Sequence, residues 1–170
     1  MASSSDQSKL SSKTLGDGVA GDVIQRFPIE NVPDSDATWH DARTTAAFFP
    51  NDPDELLFGG ICAVEAGTPV EIKATLVVRS AGECNDRKGQ WYIKRQAHDR
   101  LLEAGGVYLL VVYVQRRGRE HLARIVVPAA TMDDVLEQSW YDVDGDHSEQ
   151  SVAQLTWSRL IDKKYVGRNA

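Results

Sequence analysis

The stretch NDPDELLFGGICAVEAGTPVEIKATLVV, Asn51 to Val78, decides how this chain folds. From Pro69 onward, Val70, Ile72, Ala74, Leu76 and Val78 fall on one side of an extended chain, and Glu71, Lys73, Thr75 and Arg79 on the other. That period of two predicts a strand whose apolar set faces the core. Glu71 and Lys73 then share a face about 6 to 7 Å apart along the strand. Upstream, ELLFGG and ICAVEA read as strand segments that lead into a turn at Gly67 and Thr68.

The chain outward from this point alternates strands and helices. The first 13 residues are serine-rich and aperiodic, a disordered tail ahead of a single domain over 14–170. Leu15, Val19, Val23, Ile24 and Phe27 recur at helical spacing, with Pro28 after them. A short helix is expected at TWHDARTTAAFF. Downstream, GQWYIK is a strand and RQAHDRLLEAGG a helix stopped at Gly105. VYLLVVYV is apolar throughout, as expected of a strand buried on both faces. HLARIVVP returns from it, MDDVLEQSW forms a helix capped by Thr131 and Asp134, and EQSVAQLTWSRLIDKK forms the last helix. The order predicts an α/β domain, a central mixed β-sheet flanked by helices.

Composition excludes several classes. At 42% hydrophobic and 26% charged residues the chain is globular, and no apolar run is long enough for a bilayer span. With no apolar leader at the N-terminus, a cytoplasmic protein is expected. Cys62 and Cys84 are too few for a disulfide framework or a four-cysteine zinc site. The net charge of −6 argues against a wholly basic DNA clamp but leaves room for a local basic track, such as Lys94, Arg95 and Arg100.

A glutamate and a lysine on one strand face suit metal-assisted hydrolysis of a phosphodiester. A hard cation such as Mg²⁺ takes oxygen ligands and keeps several waters, so one or two carboxylates suffice, and a nearby lysine balances developing charge. A second carboxylate is then required. Asp54, immediately after Pro53 at the mouth of the preceding strand segment, is the first choice, with Asp52 the alternative. An acid-x-lysine triplet arises by chance roughly once in such a chain, and DRK at Asp86 and DKK at Asp162 also match. Context distinguishes EIK: an alternating strand, an upstream acid, and a helix and buried strand downstream.

Pro53 and Asp54 followed by Glu71, Ile72 and Lys73 resemble the signature of the PD-(D/E)XK nuclease superfamily, and the order of elements resembles its restriction-endonuclease-like core. Within it, the succession from the strand hairpin to the buried strand looks most like small archaeal Holliday-junction resolvases. The resemblance implies a divalent-metal-dependent endonuclease acting on DNA, structure- or junction-selective, with Mg²⁺ or Mn²⁺ as cofactor. It implies Asp54 and Glu71 as metal ligands, the Ile72 carbonyl as a third, and Lys73 as the catalytic lysine. Many members add an acid from the first helix, for which Asp22 is the first choice and Glu30 and Asp41 stay open. Lys94, Arg95, Gln96 and Arg100 would face substrate phosphate. Cutting two strands symmetrically calls for two sites, so a homodimer is expected. The rival from another class is a nucleic-acid-binding or assembly subunit that kept the scaffold and lost the chemistry.

Other patterns carry less. Gly16, Gly18 and Gly21 spell G-x-G-x-x-G with no strand before them. DVDGDHSE at Asp142 departs from a calcium loop at its sixth and twelfth positions. His98 is close in sequence to the expected site, and a surface helix position explains it equally well; Trp91 and Tyr92 beside Lys94 either stack bases or pack the sheet.

Overall fold

The computed structural model describes residues 27–32, 40–48, 63–80, 86–115, 119–143 and 151–166, and residue 18 alone. The residues of the expected first helix around Asp22, the segment 49–62 with Asp52, Asp54 and Cys62, and the segment 81–85 with Cys84 lie outside the described residues.

A mixed five-stranded sheet forms the centre, in the order β1 (Ile29–Asn31), β2 (Ala42–Thr44), β3 (Pro69–Leu76), β7 (Val107–Gln115) and β8 (Arg119–Pro128). β3 and β7 run parallel and the other pairs antiparallel. Parallel neighbours need a crossover. Here it runs through β4 (Val78–Ser80), β5 (Asp86–Lys88), β6 (Gln90–Lys94) and helix α1 (Arg95–Glu103). The sheet and helices make this an α/β fold with a central mixed sheet, as the sequence predicts.

β7 carries the core, and its unbroken apolar sequence follows from burial on both faces. Tyr108, Leu110 and Val112 point into a cluster with Leu101 of α1 and with Met132 and Leu136 of helix α2 (Ala129–Leu136). Val107, Leu109, Val111 and Tyr113 point the other way, against Val70, Ile72, Ala42 and Ile29. The alternation of β3 therefore holds, but its Glu71 face is buried too, because it shares the side of Tyr108.

A second sheet, β6–β10–β9, packs alongside, with β9 at Trp140–Asp142 and β10 at Ser151–Thr156. Its inner face, Trp91, Ile93, Ala153 and Leu155, joins the α1-side core. Two indoles bind main-chain oxygens there: Trp91 Nε1 donates to Val111 O at 3.1 Å and Trp157 Nε1 to Val77 O at 2.9 Å. The β3 direction breaks at Val77, whose carbonyl also accepts the Gly89 N–H. Val78 consequently leaves the apolar row of β3 and pairs with Lys88.

The structure corrects four sequence expectations. Within the helix expected at TWHDARTTAAFF the described residues 40–48 hold a strand instead: Ala42 and Thr44 are buried around an exposed Arg43, a period of two. The last helix is instead β10 followed by 3-10 turns at Trp157–Arg159 and Lys163–Tyr165. Ala153, Trp157, Leu160 and Ile161 do reach one core as their helical spacing required, but Ala153, Leu155 and Trp157 also fit a strand, and β6 offers an edge to pair with. α2 begins at Ala129, after Pro128, ahead of the expected Thr131 cap. His98 of α1 is fully buried. Gly105, at φ +63°, stops α1 as expected, and the turn before β3 has Gly67 at φ +83°.

Candidate active site on strand β3

β2 pairs with β3 through Arg43 opposite Pro69 and Ala42 opposite Val70. One residue further, a side chain takes over from the main chain: Asp41 Oδ2 accepts the Ile72 N–H at 2.7 Å. The Asp41 carbonyl meanwhile accepts the Val32 N–H at 3.2 Å, so its backbone stays tied towards β1 while its carboxylate crosses to β3. A carboxylate has two oxygens and several acceptor positions, so this bond fixes the group without exhausting it.

Glu71 lies next to that bond, opposite Tyr108 in β7, and is only 8% exposed. Lys73 Nζ meets its Oε1 at 2.6 Å, with the lysine side chain about a third exposed. Burial raises the Glu71 carboxyl pKa above its ordinary value, Lys73 pulls it down, the Asp41 charge pushes it up, and Lys94 pulls it down. Strand alternation thus delivers Glu71 and Lys73 to one side, and the β2–β3 ladder delivers Asp41 beside them.

Behind Glu71 is a network that the sequence does not disclose. His98, fully buried, lies 3.0 Å through Nδ1 from the Tyr108 hydroxyl and 3.2 Å through Nε2 from Asp133 Oδ1. A carboxylate only accepts, which assigns the proton to Nε2 and makes Tyr108 the donor to Nδ1. Burial and the charges of Glu71 and Asp99 push the Tyr108 hydroxyl pKa upward, in keeping with a proton that stays in place. The His98 position in α1 and the polar ends of a buried strand were the only signals available.

The chain matches the description of a PD-(D/E)XK nuclease superfamily domain over residues 5–162. It belongs to the PD-(D/E)XK nuclease superfamily. No curated protein and no solved structure matches it. Superfamily membership makes this a nuclease domain, with nucleic acid as the substrate class. Among the described residues no helix is long and apolar enough to cross a membrane.

Of the residues expected at the site, Glu71, Ile72 and Lys73 come together with Asp41, one of the acids left open by the sequence. Asp41 precedes β2 rather than belonging to a helix. Glu30 stands opposite Arg43 in β1, two strands from β3. Lys94, Gln96 and Arg100 are exposed, and Lys94 is near enough for its charge to act on Glu71. Arg95 is engaged elsewhere, paired with Asp99 at 3.0 Å and lying over the Trp140 ring at 4.8 Å.

Superfamily members generally use a divalent metal, and the donor set here fits one. Asp41 and Glu71 are hard oxygen donors whose like charges oppose each other, the situation a cation relieves. Ile72 leaves the strand with its N–H towards Asp41, and in extended backbone its carbonyl leaves on the same side. Among the described residues no group of three or more His, Cys, Asp or Glu side chains is placed to hold a metal ion. Two carboxylates with one carbonyl match the sparse shell that Mg²⁺ accepts.

Proposed function

We propose that this chain is a divalent-metal-dependent endonuclease that hydrolyses DNA phosphodiester bonds at Asp41, Glu71 and Lys73. The observation that carries the reading is the convergence of two carboxylates and a lysine on one short stretch of β3. Asp41, Glu71 and the Ile72 carbonyl would hold Mg²⁺ or Mn²⁺, which when bound polarises the scissile phosphate and offsets its charge.

The chain's own residues supply the rest. Lys73, held at Glu71 yet partly exposed, presents an ammonium that orients an attacking water or donates to a phosphate oxygen. The Ile72 amide fixes the Asp41 carboxylate, so its position is set before substrate arrives. The Tyr108 side of β7 keeps bulk water from the back of Glu71. Lys94, Gln96 and Arg100 would contact substrate phosphate; their exposure where β6 passes into α1 supports that role.

The test compares wild type with Glu71→Ala and Lys73→Ala on labelled duplex, junction and flap DNA in Mg²⁺, Mn²⁺ or EDTA. Cleavage in metal alone, lost in both variants, is expected, and its distribution over the substrates reports structure selectivity. Binding that persists in EDTA with no cleavage under any condition would replace the nuclease reading with that of a binding subunit.

A further inference from the structure

The outer face of the β6–β10–β9 sheet has an unusual composition. The large hydrophobic residues exposed among the described residues are Tyr92 at 43%, Tyr141 at 44% and Val143 at 39%. The register places both tyrosines on this face. Lys94 stands opposite Val152 and Val152 opposite Tyr141, while Tyr92 stands opposite Gln154. Directly opposed residues share a face, so Gln90, Tyr92, Lys94, Gln154, Thr156 and Tyr141 lie on the side away from Trp91, Ile93, Ala153 and Leu155; Val152, between Lys94 and Tyr141 in the register, shares that side but is itself fully buried. Val143 follows two residues after Tyr141.

That face contains no carboxylate among the described residues, on a chain with 25 acidic residues and net charge −6. Among the described residues its one charged group is Lys94. The two phenol rings are separated by two strand spacings and one two-residue step, roughly 12 Å. Lys94 lies in the Tyr141 row and two residues along its own strand from Tyr92, and its charge reaches Glu71. Lys94 is therefore the residue of this face that bears electrostatically on the candidate site.

We propose that this sheet face binds single-stranded nucleic acid, with bases stacked on Tyr92 and Tyr141 and a phosphate on Lys94, and leads the strand towards Glu71 and Lys73. Exposed aromatics on a sheet are a sequence-tolerant platform because every base has a π-face, and the unpaired bases of a flap, gap or junction arm are free to use it. A duplex, with its bases stacked inside, is not. The polar remainder, Gln90, Gln154 and Thr156, is neutral and does not repel a phosphate chain. This inference deepens the nuclease reading and rests on it for where the strand leads.

The test measures affinity of the full-length protein for short fluorescent oligonucleotides in EDTA, single-stranded and duplex, by anisotropy. Tyr92→Ala and Tyr141→Ala are each expected to weaken single-strand binding roughly 5- to 100-fold and to lower the ratio of single-strand to duplex affinity. Tyr92→Phe and Tyr141→Phe, which keep the ring, should stay near wild type. Unchanged single-strand affinity in both alanine variants overturns the proposal, as does an equal loss on both substrates. Conversion of a wild-type oligomer to monomer with oligonucleotide affinity intact would also overturn it, identifying the face as a subunit contact. Cleavage in Mg²⁺ is scored separately. A duplex-cutting enzyme indifferent to the tyrosines discards this proposal alone, whereas tyrosine-dependent binding without cleavage of any substrate discards the nuclease reading alone.

Discussion

Asp41 and Ile72 are joined by a side chain doing what a strand's main chain does elsewhere in the sheet: Asp41 Oδ2 accepts the Ile72 N–H at 2.7 Å, directly beyond the last β2–β3 pair. Asparagine at position 41 keeps an oxygen for that amide and removes the charge. Asp41→Asn should therefore leave the melting temperature within a degree or two while cleavage falls about 10²-fold or more, the loss typical of a deleted electrostatic group. Single-turnover cleavage beside a thermal melt checks both parts. Asp41→Ala should lose cleavage and stability together, since the Ile72 amide is then stranded.

Glu71 is placed where function and stability conflict. Its folded pKa lies above the ordinary 4.5, with burial as the main cause, so the folded chain binds this proton more tightly than the unfolded chain. The contribution is complete below the unfolded pKa and is lost as pH rises towards the folded one. Above the folded pKa the ionised carboxylate thus costs stability. Glu71→Gln, which still accepts from Lys73, should stabilise the metal-free protein by about 0.5–2 kcal/mol at pH 7. The gain should shrink as pH falls into the carboxylate range. Mg²⁺ should raise the melting temperature of wild type and not of the variant. Melts in EDTA and in Mg²⁺ across pH test all three statements.

Legibility in the sequence followed how local each signal was. The EIK strand, the all-apolar β7 and the helix ending at Gly105 depend on periodicity and turn chemistry, and all are present. β2 and β10 were misread because three to six residues of mixed apolar sequence fit either period, and only pairing with β3, β6 and β9 decides between them. Asp41 is one of the acids that the sequence leaves open. Its value comes from a strand partner 31 residues away, which spacing within its own segment does not reveal. The sequence does not decide between a site role and a surface position for His98, because its partners, Tyr108 and Asp133, come from β7 and α2.

The His98 network yields a prediction about coupling. Tyr108→Phe removes the donor to a fully buried ring nitrogen, and an unsatisfied group in that position costs about 1–3 kcal/mol. Replacing both partners in Tyr108→Phe/His98→Leu leaves no such orphan on that bond. The double variant should therefore lose less than the sum of the two single losses, by roughly 0.5 kcal/mol or more. Urea unfolding of the four proteins measures the coupling. Strict additivity would show that the 3.0 Å contact contributes nothing of its own.

Gly89 holds the two sheets in register and so supports the site from a distance. A Cβ at this position would run into the Leu76 carbonyl oxygen and lie 2.5 Å from Thr75 Oγ1 and 2.9 Å from the Leu76 carbonyl carbon. Main chain cannot move aside as a side chain can. The glycine N–H donates to Val77 O at 3.2 Å, at the junction where β3 gives way to β4, and its carbonyl accepts the Trp157 N–H at 3.3 Å, just after β10, so its two bonds tie the start of β6 to both sheets. Gly89→Ala must open that junction, at a cost of about 1–3 kcal/mol. Because Lys73 lies three residues before Leu76 on the displaced strand, cleavage should fall by more than the folded fraction accounts for. Unfolding curves paired with the cleavage rate of the folded protein provide the check, and a variant with wild-type stability would mean that β6 can shift without disturbing β3.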